Sequence, residues 1–293
     1  MSTEANPLVS VLITAYNREK YIAEAIESVL ASTYKNFELI IVDDCSKDNT
    51  IKIANDYAEK DGRVKVYVNE KNLGDYPNRN MAASYATGKY LKYVDSDDLI
   101  SKDGLSVMVA AMEKFQSVAI GMMWVYDDNL KEAKLCTPEM ALYEYFINNL
   151  WLLVGPSGCI YSTIIFKNSG GFSGKKYVSD FEFNLRMASQ YPIVKIRNGL
   201  ISYRTHDQQQ GQEKGHSKTY RIWQYKIQNR ILSDEKCPLS VKDKKEALRK
   251  IDKLQARRII FHFFRSFHIK ECYKMVVDSD LGVKRFFTGL MTF

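Results

Sequence analysis

Apolar strands alternate with amphipathic helices along the first hundred residues, and this alternation constrains the fold more than any other feature. The segments Val9–Tyr16 and Phe37–Val42 are almost continuously apolar and rich in β-branched residues, which predicts strands buried on both faces. Between them, from Ile22 onward, apolar residues recur at i, i+3, i+4, i+7 and i+8, the spacing of one helix face. Strand–helix alternation predicts an open, doubly wound, mostly parallel α/β sheet.

The same pattern continues to about residue 100 and then becomes less regular. We predict a helix after the turn Asp43–Thr50, a strand at Val64–Val68, a helix from Pro77 to Gly88 and a strand at Lys89–Val94. Further along we predict helix Leu105–Phe115, strand Val118–Tyr126, helix or loop Tyr143–Leu153, strand Ser162–Phe166, helix Ser179–Gln190, a surface loop over 204–215, and helices Ser217–Leu232 and Ser240–Phe267.

Composition excludes several classes of protein. The chain has 293 residues, of which 45% are hydrophobic and 26% charged, which is ordinary for a globular protein. Its five cysteines are scattered without a C-x-x-C pair, so neither a disulfide framework nor a cysteine zinc site is predicted. No apolar run approaches the roughly 20 residues of a membrane span, and the N-terminus lacks a signal-peptide pattern. We therefore expect a cytoplasmic protein.

Polar and acidic residues follow the predicted strands. Tyr16-Asn17, Asp43-Asp44, Asn69 and Asp95–Asp98 all lie at carboxyl ends, where sheets of this kind bind ligands. The segment Asp95-Ser96-Asp97-Asp98 places three carboxylates within four residues, where they repel one another and raise each other's pKa. A divalent cation with a preference for oxygen ligands, Mg²⁺ or Mn²⁺, relieves that repulsion. D-x-D alone is a weak signal, and its position after the fourth strand strengthens it.

Four motifs in this order resemble a known family. They are SVLITAYN at the first strand, VDDCSKDNT after the second, NLG with the following Arg79-Asn80, and VDSDD after the fourth. Together they resemble family 2 glycosyltransferases with the GT-A fold, over about Val9 to Asp207. The resemblance implies a nucleotide-sugar-binding half at 1–100 and an acceptor half at 101–215. The remaining residues, 216–293, are predicted from their own pattern to form a helical, basic C-terminal segment. The resemblance also implies sugar transfer from a nucleoside diphosphate donor, usually with inversion.

The resemblance assigns the donor nucleotide to the first two strand ends. It implies that Thr14, Ala15 and Tyr16 line the base pocket, with Asn17 beside them and Asp43 accepting the uracil N3 proton. Stacking of the Tyr16 ring on uracil and packing of that ring in the core are equally compatible with the sequence.

Four further residues are assigned around the donor diphosphate. Asp97 matches a ribose or metal position, Asp98 matches the metal ligand, and Arg79 matches a basic position near the phosphates. The segment Tyr203–His206 is similar to a Y-R-x-H segment whose histidine approaches the metal, although a loop histidine is often simply solvated. The expected cofactor is Mn²⁺ or Mg²⁺.

The acceptor needs a base, and relatives carry a Glu-Asp pair that opens a helix ending in Arg. Here Ser179 replaces the first acid, which leaves Asp180 as the candidate base and Glu182 as the reserve. Asp180 also suits the positive end of the helix that runs on to Arg186, and the two roles are compatible.

The expected activity is inverting, metal-dependent transfer of a sugar, most simply from a UDP-sugar, to a hydroxyl of a saccharide or lipid-linked saccharide in bacterial surface polysaccharide synthesis. A non-catalytic nucleotide-sugar-binding protein and a sugar nucleotidyltransferase remain alternatives. A dehydrogenase is disfavoured because no G-x-G-x-x-G follows the first strand.

Positive charge concentrates at the C-terminus. Up to Glu213 the chain has a net charge of −4, and from Lys214 it has a net charge of +11. The segments Arg257–Arg265 and Arg285–Phe287 mix bases with large apolar residues, as interfacial helices on anionic bilayers do. Helices packed on the rest of the protein with a solvated basic face are the alternative. No nucleic-acid motif is present, so no nucleic-acid partner is expected.

Overall fold

The computed structural model describes residues 6–124, 129–148, 152, 154–205 and 216–291. The chain divides into two compact units. The sheet unit comprises Met1–Thr137 and Leu153–His206, and the helical unit comprises Pro138–Leu152 and Asp207–Phe293. The predicted boundary at residue 215 falls outside the described residues.

The first half of the sheet unit follows the predicted alternation closely. Its elements are β1 (Val9–Ala15), α1 (Ile22–Leu30), β2 (Phe37–Asp43), α2 (Thr50–Ala58), β3 (Val64–Val68), α3 (Asp75–Tyr85) and β4 (Tyr90–Tyr93). Every residue of β1 except Thr14 is buried, as is all of β2, as expected for central parallel strands covered on both faces.

The second half adds shorter elements. They are β5 (Leu99–Ile100), α4 (Gly104–Glu113), β6 (Ile120–Met123), β7 (Lys134–Cys136), β8 (Cys159–Ser162), α6 (Thr163–Asn168), α7 (Ser179–Ala188), β9 (Ile193–Ile196) and β10 (Ile201–Ser202). The helical unit contains α5 (Pro138–Phe146), α8 (His216–Ser233), α9 (Val241–Ser266), α10 (Ile269–Asp278) and α11 (Val283–Met291).

One mixed sheet of eight strands forms the centre of the sheet unit, in the order β3-β2-β1-β4-β8-β6-β9-β7. The pairs β2–β3, β1–β2, β1–β4 and β6–β9 are parallel, whereas β8 runs antiparallel to both β4 and β6, and β7 runs antiparallel to β9. This confirms the predicted mostly parallel α/β fold with a helical C-terminal region.

Some predicted elements were wrong in type or extent. Ser162–Phe166 was predicted as a strand, but the strand ends at Ser162 and α6 begins at Thr163. The helical turn brings Phe166 against Phe172 and Phe183, with ring centroids 5.1 and 4.8 Å away. A short apolar run does not distinguish a strand from a buried helix by itself.

The third helix also differs from its predicted extent. It begins at Asp75, so Pro77 lies inside its first turn, and it ends at Tyr85. Gly88 lies after the helix, where a Cβ atom would approach the Leu8 carbonyl oxygen to 2.7 Å. Gly88 is therefore required by close backbone approach and not by a helix cap.

Other predicted elements fall partly outside the described residues. The strand predicted at Val118–Tyr126 forms over Ile120–Met123, and residues 125–128 are not described. The helix or loop predicted at Tyr143–Leu153 forms a helix that begins at Pro138 and ends at Phe146. Residues 149–151 and 153 of that range, and the loop at 206–215, lie outside the described residues. No helix in the described parts of the chain combines the length and the apolar character needed to span a bilayer.

Candidate active site

The carboxyl ends of β1, β2 and β4 meet at one edge of the sheet. These strands are adjacent and parallel, and Ala15 pairs with Asp43 across β1 and β2. The loop after β4 carries Asp95, Asp97 and Asp98. The sheet order therefore brings three of the predicted strand ends together, as expected for a ligand-binding crevice.

At the first strand end, Thr14 is partly exposed, Ala15 is buried, and the Tyr16 side chain is 45% exposed. Tyr16 is thus available to a ligand and is not a core residue. Asn17 adopts a left-handed conformation (φ 53°), and its Oδ1 accepts a hydrogen bond from the Lys47 amide at 2.8 Å. Asn17 therefore fastens the loop after β1 to the loop after β2.

Asp43 is buried at the end of β2. Its Oδ2 accepts the Ser46 amide at 2.8 Å and its Oδ1 accepts the Ser46 hydroxyl at 2.5 Å. Burial raises the pKa of Asp43. Each carboxylate oxygen keeps acceptor capacity, so the group can take one further donor from a ligand.

Asp44 has a different role, which the sequence did not reveal. Its carboxylate accepts the backbone amides of Leu73 and Gly74 and the side-chain amide of Asn69, each at 2.8 Å. These bonds fix the loop that leads into α3. Asp44 therefore positions the helix that carries Asp75, Tyr76 and Arg79.

Arg79 joins α3 to the acidic loop. Its guanidinium contacts Asp75 Oδ1 at 2.8 Å through Nε and Asp95 Oδ1 at 2.7 Å through Nη1. It also lies 5.7 Å from the centroid of the Tyr93 ring, whose hydroxyl donates to the Arg79 carbonyl at 2.9 Å. Arg79 is 8% exposed, and these two ion pairs compensate its burial.

The three acidic side chains converge. Oxygen atoms of Asp95, Asp97 and Asp98 lie within 4.8 Å of one another in the part of the chain that the structure describes. Burial, together with Asp95 and Asp97, raises the pKa of Asp98 to about 7. Burial alone would raise the pKa of Asp95 as well, but Arg79 lowers it. Three converging carboxylates, of which Asp98 has no ion pair among the described residues, fit a divalent cation with oxygen ligands.

A buried lysine lies beside this cluster and was missed in the sequence. Lys92 on β4 is fully buried and donates to the Ser157 carbonyl, and burial lowers its pKa to about 8. The Ser157 hydroxyl accepts the Asp95 amide at 2.9 Å. The one available signal was a lysine inside an otherwise apolar strand, where most lysines are exposed.

Two arginines, Arg18 and Arg204, contact the acidic loop Asp95–Asp98. Arg18 Nε lies 3.5 Å from Asp97 Oδ2. The Arg204 amide donates to Asp98 Oδ1 at 3.2 Å, and its Nε donates to the Asp97 carbonyl at 2.5 Å. The Tyr203–Thr205 segment therefore lies against the acidic loop, while His206, which follows it, lies outside the described residues.

Asp180 lies in the first turn of α7, not at its N-cap, which is Val178. Its Oδ1 accepts the Phe181 amide at 2.8 Å, and the Tyr76 hydroxyl hydrogen-bonds to its carboxylate. Burial raises the pKa of Asp180, and the Tyr76 bond and Arg79 partly oppose that increase. Tyr76 therefore links Asp180 to the same helix that carries Arg79.

Glu182, the reserve candidate, belongs to a different set of contacts. It is 4% exposed, and its Oε1 pairs with Arg186 Nε at 3.1 Å. Arg186 also donates to the Ser169 and Gly171 carbonyls at 2.9 and 3.0 Å. Glu182 therefore anchors the turn at Ser169–Gly171 and contributes to structure.

Comparison with known proteins identifies the family. The family model described as glycosyl transferase family 2 matches residues 10–169. A glycosyltransferase of Methanocaldococcus jannaschii is 35% identical over 208 residues, which cover 68% of this chain and 71% of that protein. The chain therefore belongs to glycosyltransferase family 2 and is a transferase.

Other relatives match over shorter stretches. GlyG of Streptococcus pneumoniae is 34% identical over 47% of this chain, and the teichuronic acid biosynthesis glycosyltransferase TuaG of Bacillus subtilis is 41% identical over 38%. The chain spans 48% and 44% of the lengths of these two relatives. The similarity to them is concentrated in part of the chain.

Solved structures share the fold. TarS of S. aureus in complex with UDP-GlcNAc superimposes with a TM-score of 0.72 at 22% identity, covering 96% of this chain and 81% of that one. The mannosyltransferase PcManGT of Pyrobaculum calidifontis, in complex with GDP-Man and Mn²⁺, gives 0.60 at 15% identity over 98% and 86%. At these identities the comparison supports the GT-A fold.

Proposed function

We propose that this glycosyltransferase moves a sugar from a UDP-sugar to a hydroxyl of a saccharide or lipid-linked saccharide, with inversion, in bacterial surface polysaccharide synthesis. The observation that carries the proposal is the meeting of Asp95, Asp97 and Asp98 with Arg79 at the carboxyl ends of β1, β2 and β4. The UDP-GlcNAc complex of TarS and the teichuronic acid role in the name of TuaG support the donor and the pathway.

The nucleoside would occupy the ends of β1 and β2. Thr14, Ala15 and Asn17 would line the base pocket, and the exposed ring of Tyr16 would stack on uracil. Asp43 would accept the uracil N3–H, because its carboxylate is held in place by Ser46 and retains acceptor capacity.

The diphosphate would lie at the acidic loop. Asp97 and Asp98 would hold Mn²⁺ or Mg²⁺, with His206 as a further ligand, and the bound ion would supply positive charge to the leaving nucleoside diphosphate. Arg79 would keep Asp95 in place through their ion pair. One edge of the same guanidinium group would face the donor phosphates.

Asp180 would act as the general base. Its pKa is raised by burial, which brings a carboxylate nearer to the range in which it accepts protons efficiently. The acceptor hydroxyl would lose its proton to Asp180 while its oxygen bonds to the anomeric carbon. The bond from that carbon to the diphosphate oxygen would break on the opposite face, which inverts the configuration. Tyr76 would hold the carboxylate in position.

The decisive experiment measures nucleoside diphosphate release from UDP-, GDP- and dTDP-sugars with Mn²⁺, Mg²⁺ or chelator. We expect metal-dependent release from one UDP-sugar, with turnover reduced roughly 10²–10⁴-fold in Asp180→Asn while donor binding by calorimetry is retained. Asp56→Asn, at an exposed position of α2, is the matched control. Formation of a nucleoside triphosphate and a sugar phosphate when pyrophosphate is added would identify a nucleotidyltransferase, and binding unaffected by Asp180→Asn without any turnover would identify a binding protein.

The C-terminal helices would bring the enzyme to the inner face of the cytoplasmic membrane. Phe261, Phe264 and Phe267 are each at least 64% exposed, an unusual density of exposed aromatic residues. On α10, exposed Ile269 and Tyr273 are each followed by a lysine. The cytoplasmic leaflet is negatively charged and attracts such basic amphipathic helices.

Vesicle sedimentation tests this association. We expect the protein to sediment with vesicles that contain anionic phosphatidylglycerol and to remain in the supernatant with neutral phosphatidylcholine vesicles. Phe261→Ser combined with Phe264→Ser should reduce the bound fraction, whereas Tyr143→Ser, at an exposed position of α5, should not. Equal binding by the double variant would contradict this part of the proposal.

A further inference from the structure

A cavity of about 300 Å³ lies within the helical unit, among α5, α8 and α9. Tyr145 and Phe146 line it from α5, Gln224 and Gln228 from α8, and residues between Lys250 and Arg257 from α9. This volume is at the lower end of the range for small-molecule sites.

The interior of the cavity is partly apolar and well fixed. Phe146 and Ile251 are buried and contribute apolar surface, and Leu254 adds a half-exposed side chain. The Tyr145 hydroxyl accepts a hydrogen bond from Gln228 Nε2 at 2.7 Å, which holds its ring in place. An apolar group of a ligand would therefore find a preformed surface here.

The wall of the cavity formed by α9 is cationic. Lys250 is already occupied, because its Nζ contacts the Ile147 carbonyl at 2.8 Å and Glu246 at 3.2 Å. Lys253 and Arg257 form no ion pair or hydrogen bond within the described parts of the chain, although Lys253 is partly buried. Two positive charges thus border the cavity, and no carboxylate in the parts of the chain that the structure describes pairs with either of them.

Arg258 adds a third positive charge without an ion-pair partner among the described residues, next to the cavity-lining residue Gln224. Arg258 is partly buried, and its Nη1 donates at 3.1 Å to Oε1 of Gln224, a cavity-lining residue that is neutral. Burial lowers the pKa of Arg258, and Arg221 lowers it further. No carboxylate pairs with Arg258 among the described residues. Partly buried arginines are usually paired, so this concentration of positive charge favours an anion.

We infer that the cavity binds a phosphate-bearing amphiphile. The phosphate would lie at Lys253 and Arg257, where a guanidinium and an ammonium can both donate to its oxygens. The apolar chain would contact Phe146 and Leu254. This inference goes beyond the transfer reaction and does not depend on it.

The surface next to the cavity supports an amphiphile over a purely polar ligand. Arg257, Phe261 and Phe264 lie at i, i+4 and i+7 on α9 and so share one helix face. Both phenylalanines are exposed, so an apolar surface continues from the mouth of the cavity along α9. A chain longer than the cavity would remain in apolar contact there.

Calorimetry with the full chain tests the inference. The probes are monomeric dioctanoyl phosphatidylglycerol, used below its micellar concentration, together with glycerol phosphate, inorganic phosphate and octanol. We expect the lipid to bind at least tenfold more tightly than any other probe. Glycerol phosphate or inorganic phosphate binding as tightly as the lipid would indicate a soluble phosphate ligand and overturn the amphiphile assignment. Octanol binding as tightly would overturn the role of the cations.

Variants separate the two parts of the site. Lys253→Gln and Arg257→Gln should each weaken lipid binding by about tenfold or more, because each removes a charge-assisted hydrogen bond. Leu254→Asp, at a position 45% exposed, should oppose the chain without disturbing the core. Arg249→Gln, an exposed position on α9 outside the cavity lining, is the matched control. The site would be refuted if Lys253→Gln, Arg257→Gln and Leu254→Asp all bound the lipid as tightly as the control Arg249→Gln. Because the readout is binding, donor turnover does not affect the result.

Discussion

Glu38 is a buried carboxylate in β2 that connects three parts of the sheet unit. Its Oε1 accepts hydrogen bonds from the Ser10 hydroxyl at 2.7 Å and from the amide and hydroxyl of Thr87 at 2.8 and 2.7 Å. Its Oε2 accepts from Lys65 Nζ at 2.8 Å. The group therefore ties β1, β3 and the loop before β4 to the centre of the sheet, and Glu38→Gln should destabilise the fold.

The pKa of Glu38 gives the size of the effect. Burial alone would raise this pKa, but the hydrogen bonds from Lys65, Ser10 and Thr87 lower it from 4.5 to about 2. That difference corresponds to about 3 kcal/mol of folding free energy. Because the folded-state pKa is below the unfolded one, this stabilisation is fully present above about pH 4.5 and is lost as the pH falls towards 2. The side chain is 8% exposed, so solvent screening is small.

Urea unfolding followed by circular dichroism measures the prediction. At pH 7, Glu38→Gln should lower the free energy of unfolding by about 3 kcal/mol, and the difference from the unmodified protein should fall to less than half by about pH 3. Glu59→Gln removes the same charge at an exposed position and should have little effect at either pH. A loss in Glu38→Gln that is equally large at both pH values would refute the ionic origin of the stabilisation.

Three further predictions concern single contacts. Gly88→Ala should lower the melting temperature by several degrees in calorimetry, because its Cβ would lie 2.7 Å from the Leu8 carbonyl oxygen. Tyr76→Phe removes a hydrogen bond that lowers the pKa of Asp180, so the acidic limb of the pH profile of turnover should move to higher pH. The backbone amides of Leu73 and Gly74 donate to the two carboxylate oxygens of Asp44, so Asp44→Asn places a side-chain NH₂ group, itself a donor, against one of them. This substitution should lower the free energy of unfolding in urea by about 1–3 kcal/mol.

Each of these predictions has a control at an unconstrained position. Gly62→Ala has open space around its added Cβ and should leave the melting temperature nearly unchanged. Tyr143→Phe is the control for Tyr76→Phe, and Asp56→Asn is the control for Asp44→Asn; both are at exposed sites. A pH profile that is unshifted in Tyr76→Phe would show that Tyr76 does not act on the titration of Asp180. A variant that loses no more stability than its control would disprove the corresponding contact.

The parallel half of the sheet was predictable from the sequence because its signals are local. Continuous β-branched segments identify β1 and β2, and the residues after each strand necessarily reach one edge of a parallel sheet. The antiparallel strand β8 was not predictable in the same way. Its position between β4 and β6 depends on pairings distant in sequence, and the apolar run that continues into α6 gave no signal of where the strand ends.

The same limit applies to the candidate site. Spacing alone placed Asp95, Asp97 and Asp98 together, since all three fall within four consecutive positions. It gave no information about Asp44 as the anchor of α3 or about Lys92 beneath the cluster, because both roles depend on backbone groups that only the fold brings near. Buried polar contacts with loop backbones leave no periodic trace in a sequence.

The structure also distinguishes three carboxylates that look equivalent in the sequence. Asp95 already has a counter-charge, because Arg79 lies 2.7 Å away and lowers its pKa. Asp98 is 4% exposed, accepts one hydrogen bond from the described part of the chain, the Arg204 backbone amide at 3.2 Å, and has a pKa raised to about 7. Its negative charge is therefore the least compensated by the protein. Of the three groups, Asp98 is the one that a divalent cation would stabilise most, which supports its proposed role as the metal ligand.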